Sequence, residues 1–439
     1  MRILFVQAIS TETTTSEMVY PIGIVTLATV ISNLHTVEIL DLNIEQDPFK
    51  ALKNKIYQYN PEVVFMSLRN IDPLGNKMTS LIPQFITSVK MINILNPTTT
   101  IIAGGTGFSL FPRKIMELLP EITYGIIGEG ESSILPLLNN LDKPNVKGLC
   151  YRKGEDIIVT SPSMEFDMEK SYIVPDRSLL DVTAYQDNSY VQSVGVETKR
   201  GCPFNCSYCV YPKLQGKKLR CREPNDVVNE IEFLRKEYGI ERIHFTDPVV
   251  NIPNGHMESV CESLIRRNID IKWSGFFRED QIDGKNIDIF AKSGCECFSF
   301  SPDGLTQEAM DVLGKNMNIE DVKNAARLAA QTDIVSVYHF MINVPGETEE
   351  TVKKGINLID WIYDVHSKNK NLGTIVFNNI RIYPDTPIYD IALEKGVIRS
   401  TTNLLYPVYY NPDPYENLRY ELEGKHFCKN VFMWQEVNI

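Results

Sequence analysis

The sequence predicts an α/β protein: a doubly wound parallel sheet, then a partial barrel of about six β/α units, then a C-terminal extension. Three observations carry this. Short apolar runs alternate with helix-length segments over residues 2–141 and again over 190–382. A polar, proline-bearing stretch separates the two series. Glycine pairs and a cysteine cluster follow strands, where such sheets and barrels carry their ligand loops. The boundaries read as 1–144, a linker over 145–188, the barrel over 189–398 and the extension over 399–439.

In the first series, Arg2–Gln7, Val37–Asp41, Val63–Ser67, Thr99–Ala103 and Tyr124–Ile127 are continuous apolar runs of the kind buried in parallel sheets. Between them, Pro21–Ser32, with proline at its likely first turn, Pro48–Tyr59 and Leu81–Leu95 have helix length, and Glu131–Leu141 reads as the last helix. Cys150–Val159 reads as a small hairpin. The second series gives strands at Tyr190–Glu197, Arg242–Thr246, Ile271–Phe276, Glu296–Ser301, Val335–Ile342 and Thr374–Ile382. Its helices are Asp226–Tyr238, Met257–Arg267, Gly284–Ser293, Ile319–Gln331 and Glu349–Tyr363.

At 439 residues the chain has room for about two or three domains. Apolar residues make up 43% and charged residues 23%, ordinary values for a globular protein. A net charge of −12 gives no broad attraction to nucleic acid. Tyr20–Leu34 is the longest uncharged apolar stretch and is too short for membrane insertion. Met1–Gln7 lacks the features of a signal peptide, and nine cysteines without a leader imply reduced thiols in the cytoplasm.

The strongest chemical signal is Gly201-Cys202-Pro-Phe-Asn-Cys206-Ser-Tyr-Cys209, a loop after the first barrel strand. Three clustered thiolates suit an iron–sulfur cluster or zinc. Zinc would need a fourth ligand, which Cys221 could supply; a cluster on three thiolates keeps one iron open. Gly104-Gly105 admits a flat or phosphate-bearing ligand, or simply forms a tight turn. Cys295 and Cys297 alternate on a strand as buried thiols facing one way, and His244 and His339 read as packed strand histidines.

The C-x-x-x-C-x-x-C loop resembles the radical S-adenosylmethionine (SAM) superfamily, and further motifs resemble its subgroup with an N-terminal cobalamin-binding domain, the class B-type methyltransferases. These motifs are His244-Phe-Thr-Asp247 with Asn251, Phe277-Arg278, Gly294 to Gly304, Leu313-Gly-Lys315, Asn343 to Thr348 and Arg381 to Pro387. The resemblance covers about residues 1–398. It implies a [4Fe–4S] cluster on Cys202, Cys206 and Cys209, with SAM on the open iron and Tyr208 near its adenine. Asp247, Arg278 and Asp303 are the further SAM contacts it implies, with Asp303-Gly304 standing where many relatives have Glu-Ser. The first part resembles a Rossmann-like cobalamin-binding domain. Ser67, Leu68, Arg69 and Asn70, then Gly104, Gly105, Thr106, Gly107 and Phe108, then Gly128, Glu129 and Glu131 fall at its cofactor loops.

No Asp-x-His-x-x-Gly motif occurs, and His35 is the one histidine before residue 200, so the resemblance implies base-off cobalamin without protein imidazole. Arg69 resembles an arginine of tryptophan C-methyltransferases, under the corrin, and is the catalytic candidate. The expected activity is methyl transfer from SAM through cobalamin to an unactivated or weakly nucleophilic carbon, or phosphorus, of a small-molecule or peptide substrate, with a low-potential electron donor. Delivery can be radical or polar. A cobalamin-dependent cyclase or ring-rearrangement enzyme and a non-catalytic cobalamin or SAM sensor are the alternatives. The aromatic segment from Leu404 to Tyr410 and on to Trp434 reads as a cap on the barrel.

Overall fold

Val63-Val-Phe-Met66 is apolar without alternation because both faces of its strand are covered. The computed structural model describes residues 1–10, 18–73, 78–142, 145–164, 166–186 and 194–412. The chain forms two units that meet in sequence at Gly195/Val196.

In the first unit β1 (Arg2–Gln7), α1 (Ile22–Ile31), β2 (Thr36–Asp41), α2 (Pro48–Tyr59), β3 (Val63–Ser67), α3 (Ile82–Leu95) and β4 (Thr100–Gly104) alternate regularly. Two short helices, α4 (Thr106–Leu110) and α5 (Pro112–Leu118), precede β5 (Tyr124–Ile126), and α6 (Ile134–Asn139) follows it. The strand order β2-β1-β3-β4-β5 is that of a doubly wound sheet, with these strands paired in parallel. Its topological switch lies between β1 and β3, which is where such sheets bind ligands. Phe5 stacks on Phe65 across that pair, with ring centroids 4.7 Å apart.

The stretch read as a linker is largely part of this unit. β6 (Leu149–Lys153) and β7 (Asp156–Val159) form the expected hairpin, but it extends the sheet antiparallel beyond β5. Leu149 and Cys150 are fully buried there. The hairpin covers a sheet edge that would otherwise offer unpaired backbone groups.

The second unit begins with β8 (Gly195–Val196); 190–193 of the strand read there lie outside the described residues. β9 (Lys199–Arg200), α7 (Tyr211–Gln215) and β10 (Arg220–Cys221) come next, and β9 and β10 pair antiparallel. Then come α8 (Pro224–Tyr238), β11 (Arg242–Phe245), α9 (His256–Arg266), β12 (Lys272–Phe277), α10 (Gly284–Lys292), β13 (Cys295–Asp303), α11 (Gln307–Val312), α12 (Ile319–Ala329), β14 (Val335–Ile342), α13 (Glu349–His366), β15 (Leu372–Arg381), α14 (Pro387–Glu394) and β16 (Tyr409–Tyr410). The sheet runs β8-β11-β12-β13-β14-β15-β16, parallel from β11 to β15, and β16 closes it antiparallel.

Register assigns the faces. Trp273, Phe277, Phe298, Phe300 and Tyr338 form one aromatic cluster with Phe290 of α10. The other face carries His244, Ser274, Phe276, Ser299 and His339. A register shift beside Trp273 pairs Cys295 with Trp273 and Cys297 with Ser274. The two buried thiols therefore do not share a face, as strict alternation would have them. From residue 413 onward, including Cys428 and Trp434, the cap lies outside the described residues.

Candidate cofactor sites

The cysteine loop is framed at its root. β9 and β10 bracket residues 201–219 as an antiparallel pair. Asp247, after β11, accepts from Thr198 N at 2.8 Å, Thr198 Oγ1 at 2.5 Å, Lys199 N at 3.1 Å and Lys199 Nζ at 3.1 Å. Both its oxygens are used, and Asp247 holds the base of the loop. Inside the loop Cys209 N donates to Cys206 O at 3.1 Å. Cys202 is buried, and Cys206 and Cys209 are half-buried.

Burial pushes all three thiols above the usual range, Cys209 to about 12; Cys202 also feels the charge of Cys206, and Cys209 that of both others. Among the described residues, no three metal-binding side chains close around one centre. The donor set nonetheless fits a cluster. Three soft sulfurs lie within one eight-residue loop, partly buried, and a bound cation would favour the thiolates that burial alone disfavours.

The other barrel candidates surround this loop. Tyr208 donates its phenol to Asp303 Oδ2, which also accepts Lys315 Nζ at 2.6 Å. Arg278 pairs with Asp280 at 2.9 Å and lies 3.8 Å over the Phe204 ring. Asn251 holds the Arg278 backbone with two hydrogen bonds of 2.8 and 2.9 Å. Arg278 and Asp303, named as SAM contacts, thus already have protein partners. Lys315 and Phe204 are the contributors that sequence reasoning missed. The Leu313-Gly-Lys motif had registered only through its order along the chain.

In the first unit the loops after β3 and β4 interlock. Gly107 N donates to Leu68 O and Arg69 O, both at 2.9 Å, and Thr106 Oγ1 donates to Arg69 O at 2.5 Å. Gly105 has φ +95°, and a Cβ there would stand 2.5 Å from Leu68 O. Gly105 and Thr106 are exposed, and Ser67, Arg69, Asn70, Gly104, Gly128 and Glu131 are half-buried. They form a shelf poor in side chains at the carboxyl ends of the strands, which fits a broad, flat cofactor.

Leu68, Gly107, Phe108 and Glu129 are buried and build that shelf instead of lining it. Phe108 fills the space over Gly125, where any Cβ would collide with its ring. Glu129 accepts Phe166 N at 3.0 Å. A neighbouring network had no signal in the sequence: Asp41 accepts Tyr185 Oη at 2.6 Å and Asn43 Nδ2 at 2.6 Å. Burial raises the Asp41 carboxyl, and the charge of Arg69 partly offsets this.

Residues 196–359 match the radical SAM superfamily and residues 13–137 match the B12 binding domain. The uncharacterized methyltransferase PH0819 of Pyrococcus horikoshii is 23% identical over 86% of this chain and 79% of its own length. The anaerobic magnesium-protoporphyrin IX monomethyl ester cyclase of Rubrivivax gelatinosus is 28% identical over 72% of this chain, which spans 58% of that relative. The radical SAM methyltransferase TsrM from Kitasatospora setae, solved with tryptophan substrate and a SAM analogue, matches with a TM-score of 0.81 at 19% identity, over 100% of this chain and 92% of its own; that likeness is one of fold. No helix among the described residues is long and apolar enough to cross a membrane. The chain thus carries a radical SAM domain over 196–359 behind a B12-binding domain over 13–137, which together imply a [4Fe–4S] cluster, SAM and cobalamin as cofactors.

Proposed function

We propose that this enzyme transfers a methyl group from SAM, by way of cobalamin, to a weakly reactive carbon or phosphorus centre of a small-molecule or peptide substrate. The observation that carries the reading is the presence in one chain of two framed sites, the cysteine loop and the glycine shelf. When bound, the cluster supplies one-electron chemistry, fed by a low-potential donor, and cobalt supplies methyl carriage. The chain's own part is to hold and orient. Cys202, Cys206 and Cys209 would hold the cluster, and Tyr208, beside the last of them and bonded to Asp303, would stand near the adenine of SAM. Arg69 sets a cation at the shelf, and a guanidinium cannot ligate cobalt. That favours base-off cobalamin and the polar route of delivery.

The cyclase relative supports a second reading in which no methyl group moves. One anaerobic incubation separates the two. SAM carrying a labelled methyl is mixed with enzyme loaded with cluster and reduced cobalamin, and nucleosides and corrinoid are read by mass spectrometry. Methyl transfer predicts S-adenosylhomocysteine and label in the corrinoid fraction before any acceptor is added. Unlabelled corrinoid, with cobalamin demonstrably bound and reduced, would refute it. Formation of 5′-deoxyadenosine without label transfer would support the cyclase.

A further inference from the structure

The segment between Cys202 and Cys209 is gripped from two sides. Ser207 N donates to Leu313 O at 2.8 Å. Gly314, at φ +67°, comes so close that a Cβ there would stand 3.0 Å from Asn205 O. Arg278 stacks on Phe204 and donates to Lys315 O at 2.5 Å and Asn316 O at 3.1 Å, tying both grips together. Tyr208 completes the arrangement through Asp303, whose same oxygen takes Lys315 Nζ. Lys315 Nζ also donates to Ser301 O at 2.7 Å.

Lys315 and Asp303 are each only 6% exposed, so water screens their charges weakly. We propose that the buried Lys315–Asp303 pair positions the cysteine loop and, through the balance of its two charges, sets the reduction potential of the cluster on Cys202, Cys206 and Cys209. This rests on the cluster reading above. A reduced cluster carries one more negative charge than an oxidised one. The ammonium of Lys315 therefore favours reduction and the carboxylate of Asp303 opposes it, charge being one of the protein's levers on such potentials. The pair reaches the loop through Tyr208, which stands between Cys206 and Cys209 and donates to the same Asp303 oxygen as Lys315 Nζ.

The test uses the full chain, loaded anaerobically with iron and sulfide, and a potentiometric titration followed by electron paramagnetic resonance. Asp303→Asn is the primary variant, because at φ +60° asparagine is tolerated as readily as aspartate. Its reduction equilibrium should rise about tenfold, equivalent to about 59 mV for one electron. Lys315→Met should fall by a similar factor, and the double variant should return close to the wild type. A role limited to packing would not give shifts of opposite sign that cancel. Because Lys315→Met leaves a buried carboxylate unpaired, Asp303→Asn and the double variant decide the question if that protein does not fold. An unchanged or lowered potential in Asp303→Asn, at wild-type iron content, overturns the proposal alone. A wild-type chain that takes up no cluster overturns the reading beneath it as well.

Discussion

Glu279 follows Arg278 in a position only 1% exposed, and neither of its carboxyl oxygens has a hydrogen-bond partner. Burial pushes the group up to about 8, against the opposing charges of Lys315 and Arg278. Between pH 4.5 and 8 the unfolded chain is ionised here while the folded chain keeps its proton. The stability tied to this proton is complete below pH 4.5 and is lost as pH rises toward 8, by about 1.4 kcal/mol per unit within that window. Glu279→Gln removes the dependence. Its melting temperature should gain on the wild type from pH 5 to pH 8.5; a constant difference across that range would show that another group titrates. At this scale the cysteine loop was legible because three thiols at that spacing have few other uses. The stacking of Arg278 on Phe204 was not, because residues so far apart in sequence leave no periodic trace. The place of Asp247 at the root of the loop was not legible for a related reason: a motif preserves residue type but not which lone pairs are already taken.

Loops between elements set the shelf, and Gly105 is where backbone conformation and close approach coincide. Gly105→Ala should lose corrinoid affinity and about 1–3 kcal/mol of stability, since the Cβ meets a backbone carbonyl that cannot turn aside. Gly239→Ala is the control: φ there is +65°, but nothing lies within 4 Å. It should cost about 1 kcal/mol and leave corrinoid binding untouched. Equal effects of the two, by thermal unfolding and corrinoid titration, would mean that only backbone strain matters at Gly105. Elements with a full apolar period were legible almost to the residue; Pro48–Tyr59 and Val335–Ile342 are examples. α4 and α5, of five and seven residues, are too short to show a period, and β9 and β10 have two residues each.

The histidines are few, and among the described residues three of them are committed to hydrogen bonds. His244 bonds Ser274 at 2.9 Å, His256 bonds Arg222 O at 2.9 Å, and His366 bridges Tyr338 and Asn371 at 2.8 Å each. His35 stands just before β2, at the amino end of the sheet, where Thr36 N donates to Met1 O. The six residues of β2 separate it from the shelf by about 20 Å. The Co(II) form of the loaded protein should therefore show no nitrogen superhyperfine splitting in electron paramagnetic resonance. A resolved three-line splitting would mean that an imidazole or the cofactor's own base is bound. The two α/β series were legible because each strand carries its own burial pattern. The extent of the first unit was not: the sequence of β6 and β7 announces a hairpin but does not record which sheet edge it joins.

The frame around the cysteine loop is made by protein alone: β9 against β10, with Asp247 fastening Thr198 and Lys199 beneath. The hydrogen bonds of this frame all run between protein groups. Molecules bleached by oxygen would keep this protein-made frame while having lost their chemistry. They would go on taking up corrinoid as inert competitors, so the cluster's colour, and not the amount of protein, counts the molecules able to turn over.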